Sequence, residues 1–190
     1  SSQSYEPVAN TNVNTLTAGS PYLMLIRGDR TVDLSTNTPT PTTTMLRTTG
    51  TLTIGNFDVP AVSDIANGST LIGNPYQAPV DMALALANGS NINSRYYHVY
   101  DPTVGTNGAF VAVDTQDNTN SLSFGGGPVV SQANRFLQPH QSAFINTLAS
   151  GAASLQFTES QKNVAGSGTD VFFTENNNES HIGILRRCAR

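Results

Sequence analysis

Short segments of roughly four to eight residues, rich in β-branched and aromatic types and bounded by turn clusters, recur along this chain. That pattern is the signature of an all-β sandwich or barrel. The clearest segments are Tyr22 to Arg27, Thr31 to Leu34, Met45 to Ile54, Thr70 to Ile72, Arg95 to Tyr100, Ala109 to Val113, Ser142 to Thr147, Ala153 to Thr158, Val171 to Thr174 and His181 to Leu185. In the Met45 segment, Leu46, Thr48, Gly50, Leu52 and Ile54 form one of the two alternating sets and are expected to point partly inward, with a bulge at Gly50. Thr36 to Thr43, Asp114 to Asn120, Gly125 to Pro128 and Asn163 to Thr169 read as surface loops. No fixed-period repeat is visible. One echo exists: Leu16 to Ile26 and Leu137 to Ile145 both set a polar turn before an aromatic-bearing strand, as equivalent strands of a two-sheet sandwich do.

The least generic local signal is Leu71-Ile72-Gly73-Asn74-Pro75-Tyr76. Proline's ring pushes the preceding Asn74 towards extended backbone, and Gly73 can take dihedrals closed to other residues, so the chain must turn there. Pro79 then suits a first helical position, Asp81 the first turn, and Asn88-Gly89 a C-terminal stop. A short helix is expected from Pro79 to Ala87, burying Val80, Ala83, Leu84 and Ala87. The reading for this stretch is a fixed corner in a β fold, without catalytic chemistry.

A length of 190 residues fits one sandwich domain spanning 1–190. Charged residues make up only 12% and hydrophobic ones 37%, so the surface is polar without being strongly ionic. This suits a secreted or capsid-like β protein better than a cytosolic helical enzyme. With net charge −4 and Lys162 as the only lysine, the counterion release that drives nucleic-acid binding has little to work with, and DNA and RNA are discounted as partners. The single cysteine, Cys188, excludes an internal disulfide and a multi-thiolate zinc site. No apolar run approaches bilayer-spanning length, and Ser1-Ser2-Gln3-Ser4 lacks signal-peptide features, so an exported protein would be represented here by a mature or excised piece.

Motifs for catalysis are missing: there is no Gly-x-Ser-x-Gly elbow, His-Glu-x-x-His helix or phosphate-binding glycine loop, and Gly125-Gly126-Gly127 leads into Pro128 and two valines. Glu159 and Glu175 are the carboxylates conceivable as a glycosidase pair, but a chain with 13 acids permits many such pairs. His98, His140 and His181 lack paired-ligand spacing. Arg27-Gly28-Asp29 matches the integrin tripeptide and reads first as a hairpin tip. No cofactor is expected, although structural Ca2+ has two candidate loops: one holds Asp114 and Asp117, the other begins at Asp101. Glycan binding has candidate residues in Asn93, Arg95, Tyr96 and Tyr100, with Asn91 and Tyr97 nearby. Strand alternation sends Tyr97 to the face opposite Tyr96 and Tyr100, and the chain has no tryptophan.

Six phrases, in order, resemble a module of Bacteroidota secreted and cell-surface proteins exported by the type IX secretion system. They are Tyr22 to Arg30, Leu46 to Leu52, Leu71 to Tyr76 with Asp81, Tyr97 to Pro102, Leu137 to Ile145 and Phe157 to Lys162. Ser69-Thr70 and Met82 stand where that module often carries aromatics, and Ile184 to Arg190 does not resemble its sorting domain. The resemblance implies a non-catalytic, jelly-roll-like β-sandwich near the C-terminal end of a longer adhesin. The expectation is therefore an all-β, two-sheet antiparallel sandwich of jelly-roll type with one short helix, extracellular or cell-surface, non-enzymatic, scaffolding or adhesive, with neighbouring domains of a longer chain as partners. A carbohydrate-binding module and a glycan hydrolase are the alternatives.

Overall fold

The computed structural model describes residues 7–10, 12–22, 31, 33, 35, 49–101, 104–105, 108–124, 127 and 129–163. Among them the chain is mostly β, with antiparallel sheets, one short helix and one 3-10 turn. In chain order the strands are β1 (Phe57–Asp58), β2 (Ser69–Gly73), β3 (Val80–Asp81), β4 (Tyr96–Asp101), β5 (Ala109–Asp114), β6 (Thr119–Leu122), β7 (Phe136–Leu137), β8 (Ser142–Asn146) and β9 (Gln156–Phe157). Helix α1 (Met82–Ala87) follows β3, and the 3-10 turn Glu159–Gln161 follows β9. The main sheet has the order β2-β8-β4-β5-β6; β1 pairs with β9, and β3 with β7.

Alternation along the main sheet decides what is buried. Ile72, Tyr97, Val99, Val111, Val113, Ala143 and Ile145 line its inner face and join one buried cluster with Val80, Met82, Ala85, Leu86, Leu137, Leu155 and Phe157. Tyr96, His98 and Tyr100 alternate onto the outer face and are exposed or half-buried. Sequence alternation placed Tyr97 opposite Tyr96 and Tyr100, and the burial pattern agrees. The Arg95, Ala109, Ser142 and Thr70 segments coincide closely with β4, β5, β8 and β2. Of Ala153 to Thr158, only Gln156 and Phe157 pair as a strand, with Ser154 in a single bridge to Ser90.

Three expectations are corrected. The helix begins at Met82, three residues after Pro79, because Val80 and Asp81 pair with Leu137 and Phe136. Asp81 is therefore the N-cap, accepting the Ala83 N–H at 3.0 Å, and the i, i+3, i+4 stripe counted from Met82 buries Met82, Ala85 and Leu86. Leu84 is 52% exposed and Ala87 is exposed, while Val80 is buried from a strand. In the Met45 segment the described residues 49–54 form no strand, and Leu52 and Ile54 lie exposed. β-propensity needs a neighbouring strand to act on, and none pairs with these residues. The Asp114 to Asn120 loop shrinks to a turn at 115–118, since Asp114 ends β5 and Thr119 opens β6. The Val171 and His181 segments, the Thr36 loop, Arg27-Gly28-Asp29, His181, Glu175 and Cys188 lie outside the described residues, as do all but Tyr22 of the Tyr22 segment and half of the Thr31 segment.

Candidate functional site

Of the residues singled out for glycan and calcium binding, Asn93, Arg95, Tyr96, Asp114 and Asp117 converge at one end of β4, where they fasten a hairpin. The Asn93 side-chain oxygen accepts the N–H groups of Arg95 and Tyr96 at 2.9 and 3.0 Å, setting the entry to the strand. The Arg95 carbonyl accepts both the N–H and the hydroxyl of Thr115, each at 2.9 Å. Its guanidinium donates through Nε to Asp114 at 2.7 Å and reaches Asp117 at 2.6 Å. The other Asp114 oxygen takes the N–H groups of Gln116 and Asp117, an Asx-type turn that tightens the β5–β6 connection. Asn118, with φ of 53°, supplies the left-handed residue that closes it.

These contacts hold the Asp114 carboxyl below its ordinary range, the Arg95 hydrogen bond being the main cause. A depressed carboxylate adds stability that is present above its unfolded value, about 3.8, and is lost as pH falls through the lower folded value. The urea midpoint is expected to drop below about pH 4 in the native chain. Arg95→Gln should flatten that limb, and equal acid sensitivity in the two chains would refute the assignment.

Asp101 sits at the other end of β4, opposite Ala109 and fully buried, and accepts the Ser131 hydroxyl at 2.5 Å. Asp114 lies five residues further along β5 from Ala109, which separates the two carboxylates by about 17 Å along the strands. Calcium ligands must all lie about 2.3–2.6 Å from the ion, so Asp101, Asp114 and Asp117 form no common set. Among the described residues no group of three or more His, Cys, Asp or Glu is placed to hold a metal.

Tyr96 and Tyr100 share the outer face but serve differently. Four residues of extended chain set their backbones about 14 Å apart. Tyr96 is 37% exposed with the Arg95 guanidinium 5.4 Å from its ring centre. Tyr100 packs edge-on to Phe110 at 5.4 Å, and Phe110 in turn to Phe144 at 5.6 Å, an aromatic ladder across three strands. Of the two proposed stacking residues, Tyr96 is exposed and Tyr100 is half-buried within that ladder.

Between them, His98 hydrogen-bonds Ser123 at 2.8 Å through Nδ1 and also the side chain of Asn146. Burial lowers its pKa below 6.5 more than the Asn146 bond raises it. The stability that a neutral imidazole contributes is complete above the unfolded value and is lost as pH falls through it towards the folded one. The urea midpoint is thus expected to decline as pH falls below about 6.5, and His98→Gln should remove most of that decline. An unchanged slope in the variant would show that another group is responsible.

A second constellation was not anticipated from the sequence. Asn74 is buried at the Gly-Asn-Pro corner: its amide donates to the carbonyls of Ala78 at 2.9 Å and Leu137 at 3.0 Å, and its oxygen accepts the Tyr76 N–H at 2.9 Å. Tyr76, also buried, donates its hydroxyl to the Gly55 carbonyl at 2.6 Å and meets the Phe157 ring edge-on. Glu159 accepts the Gly55 N–H at 2.6 Å and pairs with Lys162 at 2.7 Å, whose ammonium lies 4.0 Å from the centre of the Tyr76 ring. The Asn163 N–H closes the set on the Pro79 carbonyl at 2.8 Å. The sequence signal for this was the Thr158-x-x-Gln161 capping box, with the Glu159–Lys162 pair at i, i+3 beside it.

Comparisons with protein-family models, curated proteins and solved structures found no match to this chain. Among the described residues no helix is long and apolar enough to cross a membrane.

Proposed function

We propose that this chain is a non-catalytic extracellular module of a secreted or surface-anchored bacterial protein, one that spaces or presents neighbouring domains and serves adhesion more broadly. The observation that carries the reading is the use made of charge. Arg95 holds Asp114 and Asp117 at a hairpin turn, Arg135 holds the helix-capping Asp81, and Lys162 holds Glu159 against the corner. Side chains of the kind that perform chemistry are here fixing backbone. The fold reading that accompanies it is a two-layer sandwich of jelly-roll type, in which the β1–β9 and β3–β7 pairs and α1 form the layer facing the main sheet. It is supported by the single buried cluster that all these elements share. The six phrases resembling the type IX-exported module point the same way.

Glycan binding is the second reading, favoured by the accessible Tyr96 ring with Arg95 and Asn93 beside it. A glycan array and a panel of glycosidic and ester substrates test both readings together. The expected result is neither saturable binding nor turnover. Binding abolished by Tyr96→Ala would replace the spacer reading with the glycan one. Turnover abolished by Ser123→Ala, which removes the hydroxyl beside His98, would make the chain a hydrolase.

A further inference from the structure

We propose that Ser123 is a nucleophile that accepts an acyl group from an ester, with His98 as its general base and Asn146 as the residue that positions the imidazole. The side chains involved come from different strands of the main sheet and bond one another across its outer face. His98 stands on β4 and meets the Ser123 hydroxyl at 2.8 Å, just past the end of β6. The strand between them is β5, and the residue it sets opposite His98 is Ala112, whose single methyl leaves the ring free to reach across. Asn146 on β8 bonds His98 and donates its amide to the Ser69 hydroxyl of β2 at 2.8 Å. The bond to Asn146 favours the charged imidazole, as an accepting oxygen does. The tautomer assigned here therefore gives the ring N–H to that oxygen and leaves the Nδ1 lone pair to the Ser123 hydroxyl. The Ser123 N–H is fixed on the Phe110 carbonyl at 2.9 Å, which holds nucleophile and base at their spacing.

A hydroxyl bonded to a neutral imidazole is the arrangement that makes serine reactive near neutral pH. Ser123 Oγ bonds the ester carbonyl carbon while its proton passes to His98 Nδ1. The tetrahedral adduct then expels the alcohol oxygen, which takes that proton back from His98. One ester replaces another, the alcohol leaves, and no oxidant or reductant is needed. The N–H of Phe124, which makes no hydrogen bond among the described residues, directly follows the nucleophile, the place from which a backbone N–H stabilises such an oxyanion. For the acyl group itself the face is apolar. Phe144 lies opposite His98, Phe110 packs edge-on to it, and Phe124 is 84% exposed beside Ser123. The class of donor is therefore an ester of an apolar acyl group. Acceptance modifies this chain once and requires no turnover, so it goes beyond the spacer reading and does not depend on it.

The test treats the full chain with 4-nitrophenyl butyrate, read by release of 4-nitrophenol and by tandem mass spectrometry of the acylated peptides. The folded chain should release about one equivalent and carry the butyryl group on Ser123. His98→Gln, whose amide still meets the Ser123 hydroxyl but is no base, should slow that labelling by about 100-fold or more, and Ser121→Ala should leave it unchanged. Asn146→Ala should slow it less and move the midpoint of the rate–pH profile downwards, because the bond it removes raises the His98 value. Urea midpoints above pH 7 show that each variant is folded. Labelling confined to Cys188 and Lys162, equal labelling of Ser123 in the urea-unfolded chain, or an unchanged rate in folded His98→Gln would overturn the proposal, and an unmoved midpoint in Asn146→Ala would overturn the role given to Asn146. Release far beyond one equivalent that is lost in Ser123→Ala would support the nucleophile and sink the non-catalytic reading, so the two failures are distinguishable.

Discussion

Asn74→Ala is expected to destabilise the chain by about 3–5 kcal/mol, read as a lower urea midpoint at unchanged m-value. The substitution removes a small polar group but strands three backbone partners: the Tyr76 N–H and the carbonyls of Ala78 and Leu137. A buried donor or acceptor left unsatisfied costs about 1–3 kcal/mol, and rearrangement recovers part of the total. The loss is large against the stability of an ordinary domain, roughly 5–15 kcal/mol. Asn74→Asp sharpens the test. It retains the acceptor for Tyr76 but aims a carboxylate at two carbonyl oxygens, and should be at least as harmful at neutral pH. Asn88→Ala, at the exposed end of α1, serves as the control and should change little, since its cap bonds run through its backbone N–H. A cost below about 1 kcal/mol for Asn74→Ala would mean that the corner is held by its backbone alone.

The corner itself was legible, because Gly-Asn-Pro restricts backbone dihedrals locally and local restrictions are written in local sequence. The work of the Asn74 side chain was not, since its partner Leu137 lies 63 residues away. The same division runs through the fold. β4, β5 and β8 have five or six residues each, long enough for alternation to show, and they were found with near-correct ends. β1, β3, β7 and β9 have two residues each, which carry no period at all; they are strands only because a distant partner lies alongside. The helix was found but out of phase, because the pairing of Val80 and Asp81 with β7 delays its start and rotates its buried stripe.

At the candidate site, which residues stand together in space was not legible in the sequence. Arg95 read as a sugar ligand and Asp114 and Asp117 as calcium ligands, on opposite sides of a 19- and 22-residue gap that the β4–β5 hairpin closes. In the fold the arginine stands opposite both aspartates and pairs with each. Asp101 and Asp114 looked equivalent as loop-edge acids, yet they mark the two ends of the same strand pair. Spacing along a chain becomes distance in space only once register is known.

Register is also what the second large effect measures. Tyr97→Ala is expected to cost about 3–5 kcal/mol, whereas Tyr96→Ala, one residue away, should stay within about 0.5 kcal/mol. Tyr97 is 1% exposed on the inner face, beside Val113 across the ladder, and its hydroxyl donates to the Asn134 carbonyl. Truncation opens a cavity the size of a phenol ring and leaves that carbonyl without its donor. Tyr97→Phe separates the two terms: the ring still fills its place, and the loss should shrink to about 1–2 kcal/mol for the single hydrogen bond. Tyr96 faces outward beside Arg95, where water replaces whatever the ring shielded. Urea midpoints for the three variants should therefore rank Tyr97→Ala lowest, then Tyr97→Phe, then Tyr96→Ala close to the native chain. Equal losses for the two alanine variants would mean that β4 has both faces covered, and the reversed order would place β4 one residue out of register with β5 and β8.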